Sequence, residues 1–454
     1  MDSRGYSKNK KYDVIVWGAS GFTGSKVSEY LLSNYGASPK DFKWAIGGRS
    51  EKKLNDLKNA LQEYSADAGD IPIVLGDSSD KESLKNLVEQ TKVILTTVGP
   101  YQKYGQPLVE ACVEGGIGYC DLTGETFWIQ ENIEKYHKKA QETGAKIVHC
   151  CGFDSVPSEM GTLMLAEYMK KKYDGSLSLV QNLMVDASGG VSGGTIASLF
   201  GQAELYRGMS KEERAKRGGY YMLVPKDNKP PENSEGWDKT NGGFGYQGDL
   251  EKWTGPFVMA GINAQVVRRS NALMSNYYGS PFRYEEVSAF PKGIGGMIGA
   301  MLVSAITALA APLLYFNTTR NFIQKRLPQP GQGPSRDMCD NGFFKFNIVG
   351  KGKAKGMDQP ITLVGEVGST EGDGGYKETS KMLAESALCL ALAASALPDR
   401  AGVLTPATAM GVALIERLKK AKMTLKVISD SGPGEVMQMG KIEGKKEMDS
   451  ALSS

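Results

Sequence analysis

The run Tyr12-Asp13-Val14-Ile15-Val16-Trp17 breaks directly into Gly18-Ala19-Ser20-Gly21-Phe22-Thr23-Gly24, and this junction constrains the fold more than any other stretch. An apolar strand that ends in a glycine-spaced turn and continues as a helix places backbone N–H groups and a positive helix end where a nucleotide pyrophosphate can sit. Gly18 lets the backbone reverse, Gly21 lets the pyrophosphate come close, and a side chain at Gly24 would hold the helix off the sheet. Ser20, Phe22 and Thr23 complete the candidate binding turn. In a chain with 56 glycines the spacing alone says little. Its position immediately after a strand carries the reading.

The first third of the chain repeats that alternation of apolar runs and helical stretches, the pattern of a parallel sheet with crossover helices. Strands are expected at 42–48, 71–75, 93–98, briefly near Tyr119, and at 147–151. Ser50 can cap a helix whose Leu54, Leu57 and Leu61 form one stripe, and Asp80 another carrying Leu84, Leu87 and Val88. The expected class is α/β, a Rossmann-type doubly wound parallel sheet, with a second α+β domain inserted after it.

The end of the second strand bears on the cofactor. Enzymes that use NAD usually place an acid there for the ribose hydroxyls, whereas this chain has Gly47-Gly48-Arg49-Ser50. A guanidinium can grip a 2'-phosphate through paired charged hydrogen bonds, with Ser50 and Lys53 close by in sequence, so NADP(H) is favoured over NAD(H). Asp77 is placed to meet the adenine edge. Val98-Gly99-Pro100 is placed beneath the nicotinamide ribose.

Length and composition exclude several classes. At 454 residues the chain exceeds one ordinary core, and a net charge of +3 without a basic stripe gives no case for nucleic acid. Six cysteines without a Cys-x-x-Cys pair, and only two histidines, argue against a metal site. The polar N-terminus runs into the first strand without a signal-peptide pattern, so a reducing, cytoplasmic setting is expected. One segment complicates this: residues 293–316 carry no charge, with Lys292 before them and Arg320, Lys325 and Arg326 after. That length could span a bilayer, but its glycines and proline fit a helix lying on a membrane or lipid droplet better. Burial or a dimer contact is the bland alternative.

Elsewhere, residues 211–249 lack a sustained period and should be an exposed insertion. Strands are expected at 282–290, 343–350 and 360–367, a loop at 329–334, and helices at 376–397 and 406–420. The domain layout expected is 1–155 for the dinucleotide-binding domain, 156–400 for a substrate and dimerisation domain, 401–436 returning to the first domain, and 437–454 as a tail.

Gly18 to Gly24, Gly48-Arg49, Val98-Gly99-Pro100-Tyr101, Tyr119-Cys120-Asp121-Leu122-Thr123-Gly124-Glu125, Cys151-Gly152-Phe153-Asp154-Ser155-Val156-Pro157 and Leu404-Thr405-Pro406-Ala407 together resemble the saccharopine dehydrogenase-like oxidoreductases. That family in turn resembles the bacterial trans-acting enoyl reductases, and the match runs in order over nearly the whole chain. The resemblance implies a Rossmann domain whose C-terminal elements return to it after a central insertion. It also implies contact with lipid droplets or membranes, which gives residues 293–316 a motive. It does not transfer the lysine-pathway substrate.

Fold does not fix function, so the chemistry is argued from the site. A reductase needs an acid beside the nicotinamide, and Tyr101, Asp121 and Asp154 are the leading candidates, with Lys103, Tyr104 and Glu125 nearby. Tyr101 comes first because a phenol after the nicotinamide loop can donate to a carbonyl or enolate oxygen. Capping and packing are the alternatives for each. The leading function is NADPH-dependent reduction of an enoyl or keto group in a small-molecule or lipid-like substrate, by a homo-oligomer. Reduction of an amino-acid imine would instead call for arginines such as Arg268, Arg269, Arg283 or Arg336 around the substrate. A catalytically weak lipid-surface scaffold is the third reading.

Overall fold

In the computed structural model the described residues are 10–189, 208–210, 212–213, 219–230, 234, 243–248, 250–315, 319 and 333–433. Much of the insertion expected at 211–249, most of the 329–334 loop, and all of Arg320, Lys325, Arg326 and the 437–454 tail lie outside them. Residues 12 to 148 supply strands β1 (Tyr12–Trp17), β2 (Trp44–Gly48), β3 (Ile73–Leu75), β4 (Thr91–Thr96), β5 (Gly118–Cys120) and β6 (Lys146–Val148). These are paired in parallel in the order β6-β5-β4-β1-β2-β3. Both faces of β1 are covered, which is why Val14, Ile15 and Val16 follow one another without polar alternation. Strand order reverses between β1 and β4, so a ligand crevice is expected beyond their carboxyl ends.

The connecting helices are α1 (Phe22–Tyr35), α2 (Glu51–Leu61), α3 (Lys81–Glu89), α4 (Tyr101–Tyr104), α5 (Gln106–Glu114) and α6 (Thr126–Thr143). The predicted caps form: Ser50 Oγ accepts from Lys53 N at 3.3 Å and Asp80 Oδ1 from Glu82 N at 3.0 Å. The predicted stripes of Leu54, Leu57 and Leu61, and of Leu84, Leu87 and Val88, are buried.

Helix α7 (Val156–Tyr173) leads into a second sheet made of β7 (Ser176–Ser188), β8 (Gly245–Gln247), β9 (Lys252–Pro256), β10 (Arg283–Phe290), β11 (Phe343–Lys353) and β12 (Pro360–Ser369). Between these strands lie α8 (Ala260–Leu273), α9 (Ile294–Tyr315) and the short α10 (Arg336–Asp340). The central strand β7 pairs parallel with β10 and antiparallel with β11. Its Asn182 faces inward, where its amide donates to Glu286 at 2.9 Å and to Ser158 at 3.1 Å.

The C-terminal part divides differently from the expected return at residue 401. Helix α11 (Thr379–Leu392) already lies on the first sheet, buried along its length between β4, β5 and α1. Its Met382, Leu383, Ala384, Ala387 and Leu388 leave no solvent face, and such a helix must be covered all round. Its Glu385 accepts the hydroxyls of Tyr30 and Tyr35 at 2.8 and 2.6 Å. Strand β13 (Gly402–Leu404) then extends the first sheet beside β6, whereas β14 (Thr424–Asp430) pairs with β12 in the second. The single helix expected over 406–420 is two, α12 (Pro406–Met410) and α13 (Val412–Lys420), because Gly411 takes φ +56°.

Candidate active site

The glycine turn has the geometry its spacing implied. Gly18 sits at φ +82°, and a Cβ there would fall 2.5 Å from Val98 Cγ2. A Cβ on Gly24 would lie 2.3 Å from Gly18 O and 2.8 Å from Ala19 Cα, so α1 can start this close only on glycine. Gly21 is the N-cap and provides no side-chain cap to α1. Ser20 and Gly21 are exposed, and Phe22 and Thr23 half-buried, at this helix start. The cradle fits a pyrophosphate.

Arg49 is exposed at the end of β2. Ser50 is engaged as the α2 cap. Asp77 lies near Arg49 but is held back, its Oδ1 accepting from Ser79 N at 2.9 Å and Ser79 Oγ at 2.8 Å, and these bonds lower its pKa more than Arg49 does. Thr97 Oγ1 donates to Gly18 O at 3.2 Å, tying the Val98-Gly99-Pro100 loop to the glycine turn.

The three candidate acids sit very differently. Tyr101, expected as the proton donor, is turned inward: its hydroxyl donates to Thr96 O at 3.1 Å and its ring stacks on Trp128 with centroids 5.6 Å apart. Burial, and then the charge of Asp121, push its pKa well above the usual phenol value. Glu125 anchors that loop by accepting Tyr101 N at 3.0 Å and Gln102 N at 2.8 Å. Asp121 is fully buried and accepts from Tyr119 Oη at 2.9 Å, His149 Nδ1 at 2.7 Å, Thr123 N at 3.1 Å and Cys150 N at 3.3 Å. It fixes the β5 and β6 loops together. Cys150, at φ 63°, closes the same turn by donating its thiol to Thr123 O at 3.1 Å.

Asp154 is the exception. It follows β6, is partly exposed, and has no hydrogen-bond partner among the described residues. Desolvation pushes its pKa up to about 6. A Cβ built on Gly124 would lie 3.1 Å from Ile262 Cδ1 and 3.9 Å from both Asp154 Oδ2 and Met259 Cε. The carboxyl therefore shares a corner with apolar side chains of the second domain. Ser155 Oγ donates to Asn263 Oδ1 at 2.9 Å and sets the Asp154 loop against α8. An aromatic group continues from this corner: Phe153 meets Phe344 and Phe346 at 4.9 and 5.9 Å, and Phe257 meets Phe346 at 6.0 Å.

Comparison with known proteins bears on the family and the fold. The saccharopine dehydrogenase NADP binding domain model matches residues 14–148, the segment from β1 to β6. A Mycobacterium tuberculosis protein provisionally named as a trans-acting enoyl reductase is 36% identical over 435 residues, covering 92% of this chain and 97% of its own. The trans-acting enoyl reductase of Mycobacterium leprae is 34% identical over 422 residues, with the same coverage of 92% and 97%. The chain belongs to the saccharopine dehydrogenase-like oxidoreductases. Its fold resembles that of apo saccharopine dehydrogenase (L-Glu forming) from Saccharomyces cerevisiae, with a TM-score of 0.50 at 11% identity over 92% of this chain and 99% of that one. The family's NADP binding domain thus corresponds to strands β1 to β6 of the first sheet.

Within this oxidoreductase frame the sequence reading missed the second-domain side of the site. Phe257 and Met259 lie between β9 and α8 and Ile262 in the first turn of α8, where the apolar triplet Phe257-Val258-Met259 was the available signal. Tyr376 packs edge-on against Phe22 at 5.2 Å, next to the glycine turn. The four arginines suggested for a substrate carboxylate do not converge on the corner. Arg268 lies over the Tyr221 ring at 4.8 Å and donates to Tyr220 O at 3.0 Å. Arg269 donates to Leu223 O and Val403 O, both at 2.6 Å. Arg336 stacks over Tyr64 at 4.7 Å, and Arg283 is exposed at the start of β10.

Proposed function

We propose that this protein is an NADPH-dependent reductase of an activated carbon–carbon double bond in a lipid-like acyl substrate. One observation carries the reading: at the strand ends, the Asp154 carboxyl, without a hydrogen-bond partner among the described residues, shares a corner with Met259, Ile262 and the bare Cα of Gly124. That arrangement offers a proton source against an apolar wall, the complement of an unsaturated acyl chain. The names of the mycobacterial relatives support the same class.

The chain's residues then have these roles. The α1 start and the Gly18–Gly24 turn hold the pyrophosphate, and Arg49 grips the 2'-phosphate that distinguishes NADPH from NADH. NADPH bound there supplies the hydride. Asp154 Oδ2 delivers a proton to the reduced substrate, and its raised pKa keeps part of it protonated near neutrality. Phe153, Phe257, Met259 and Ile262 exclude water and receive the chain. Reduction of an amino-acid imine loses ground because the arginines it requires are engaged or placed elsewhere.

The test is titration with NADPH and with NADH, followed by nicotinamide fluorescence, and then cofactor oxidation with trans-2-enoyl thioesters of increasing chain length. NADPH preference and activity that grows with chain length are expected. Arg49→Glu should weaken NADPH on the order of 100-fold and leave NADH nearly unchanged. Equal losses for both cofactors would remove Arg49 from phosphate recognition, and absence of binding by either would favour the scaffold reading.

A further inference from the structure

Asp154 has no hydrogen-bond partner among the described residues, yet both of its chain neighbours are held, one by each domain. Phe153 N donates to Thr379 Oγ1 at 3.1 Å, where α11 begins on the first sheet, and Thr379 Oγ1 donates to Gly374 O at 2.9 Å. A Cβ on Gly374 would fall 2.5 Å from Phe153 Cε2, so the ring is seated there as well. On the other side Ser155 Oγ donates to Asn263 Oδ1 at 2.9 Å, and Asn263 belongs to α8 of the second domain. Ser155 stands at the N-cap of α7, where a serine usually caps its own helix, but its hydroxyl makes no such bond. Asn263 has taken it.

Behind Asn263 lies a carboxyl with no part in the chemistry described above. Glu286 is buried on β10; its Oε1 accepts from Ser158 Oγ and Asn182 Nδ2, both at 2.9 Å, and its Oε2 from Tyr284 Oη at 3.3 Å. Burial raises its pKa to about 7, and the Asn263 side chain is the first of the donors that oppose this. Asn263 therefore turns its amide N–H toward Glu286 and its oxygen toward Ser155, which leaves Ser155 as the donor. A proton on Glu286 can be given to the Ser158 or Tyr284 hydroxyl, so the amide keeps this direction in either charge state.

We infer that Asn263, oriented by Glu286, is a positioning residue for Asp154: it engages the Ser155 hydroxyl and seats the Asp154 turn against the apolar wall beside α8. Burial is what raises the Asp154 pKa to about 6. Met259 and Ile262 share its corner from the second domain, and Cys150, the titratable neighbour in its own loop, is kept neutral by burial. Without Asn263 the turn loses its hold on α8, water reaches the carboxyl, and the Ser155 hydroxyl is released to serve as a donor. Both changes favour the charged form. For turnover this rests on Asp154 as the proton donor proposed above; for the titration of Asp154 it does not.

The test reads Asp154 through the difference in urea-unfolding free energy between each full-length protein and its Asp154→Asn counterpart across pH, alongside the pH profile of trans-2-enoyl thioester reduction. In the wild type this difference changes between about pH 4 and 6. Asn263→Leu should lower the proton affinity of the folded-state carboxyl about 10-fold, which moves the upper limit of that window, and the decline in rate, down by about one pH unit. Should Asn263→Leu misfold, Ser155→Ala removes a hydroxyl that caps nothing and should give the same displacement, and Ser155→Thr should restore the wild-type window. An unmoved window in folded Asn263→Leu or Ser155→Ala overturns the inference. A moved window with an unmoved rate profile upholds it and instead removes Asp154 from the proposed reaction.

Discussion

Asp121 follows β5 and Asp154 follows β6, so the parallel sheet carries both carboxylates to one edge, yet Asp121 accepts four hydrogen bonds and Asp154 none among the described residues. Asp121 is enclosed by its own domain: Tyr119, His149, Thr123 and the Cys150 amide all come from the β5 and β6 segments. Asp154 is partly exposed and shares the Gly124 corner with Met259 and Ile262 of the other domain, which cannot donate to it. The difference teaches where chemistry is available. A carboxylate whose acceptors are filled orders loops, and a desolvated one without donors keeps a proton it can give away.

The largest effect expected from breaking this comparison is on Asp121. Asp121→Ala leaves its donors buried without an acceptor and should cost about 3–5 kcal/mol of stability, measured by urea unfolding. A loss under about 1 kcal/mol would mean that water replaces the carboxylate and that the knot does not order the loops.

At Asp154 the sign is opposite. Its folded pKa of about 6 exceeds the usual unfolded value of about 3.9, so the folded state binds more protons between those limits. Stability contributed by this group is therefore lost as pH rises through roughly 4 to 6. Asp154→Asn should then raise stability by about 1–2 kcal/mol at pH 8, a figure reduced for partial exposure, and change little at pH 4. A pH-independent difference would show that Asp154 is not the titrating group.

Tyr101 gives the smallest effect. Tyr101→Phe removes one hydrogen bond, to Thr96 O, and should cost about 1 kcal/mol or less while turnover stays within roughly threefold. A drop in turnover with normal stability would return Tyr101 to the chemistry.

The glycine turn, the strands before residue 150, the helix caps and the apolar segment were legible because each is a local pattern. Gly24 is glycine for a contact with its own turn, and Leu54, Leu57 and Leu61 announce their helix by spacing alone. What was not legible depends on distant partners. Strand β7 interrupts its apolar pattern with Gln181 and Asn182, which become acceptable inside only because Glu285, Glu286 and Ser158 receive them. The return of α11 to the first sheet similarly depends on Tyr30 and Tyr35 meeting Glu385. Asp154 and Asp121 look alike in sequence, each in a loop after a short apolar run. The donors that the β5 and β6 segments bring to Asp121, and the approach of α8 beside Asp154, separate them.

The most direct test compares wild type with Asp154→Asn across pH 5–9, reading NADPH affinity and trans-2-enoyl thioester reduction on the same preparations. The account predicts unchanged NADPH affinity, turnover lowered on the order of 100-fold, and loss of the wild-type decline in rate above about pH 6. A fully active variant that keeps the wild-type pH profile would contradict Asp154 as the proton donor and, with it, the assignment of the Gly124 corner as the place of reaction.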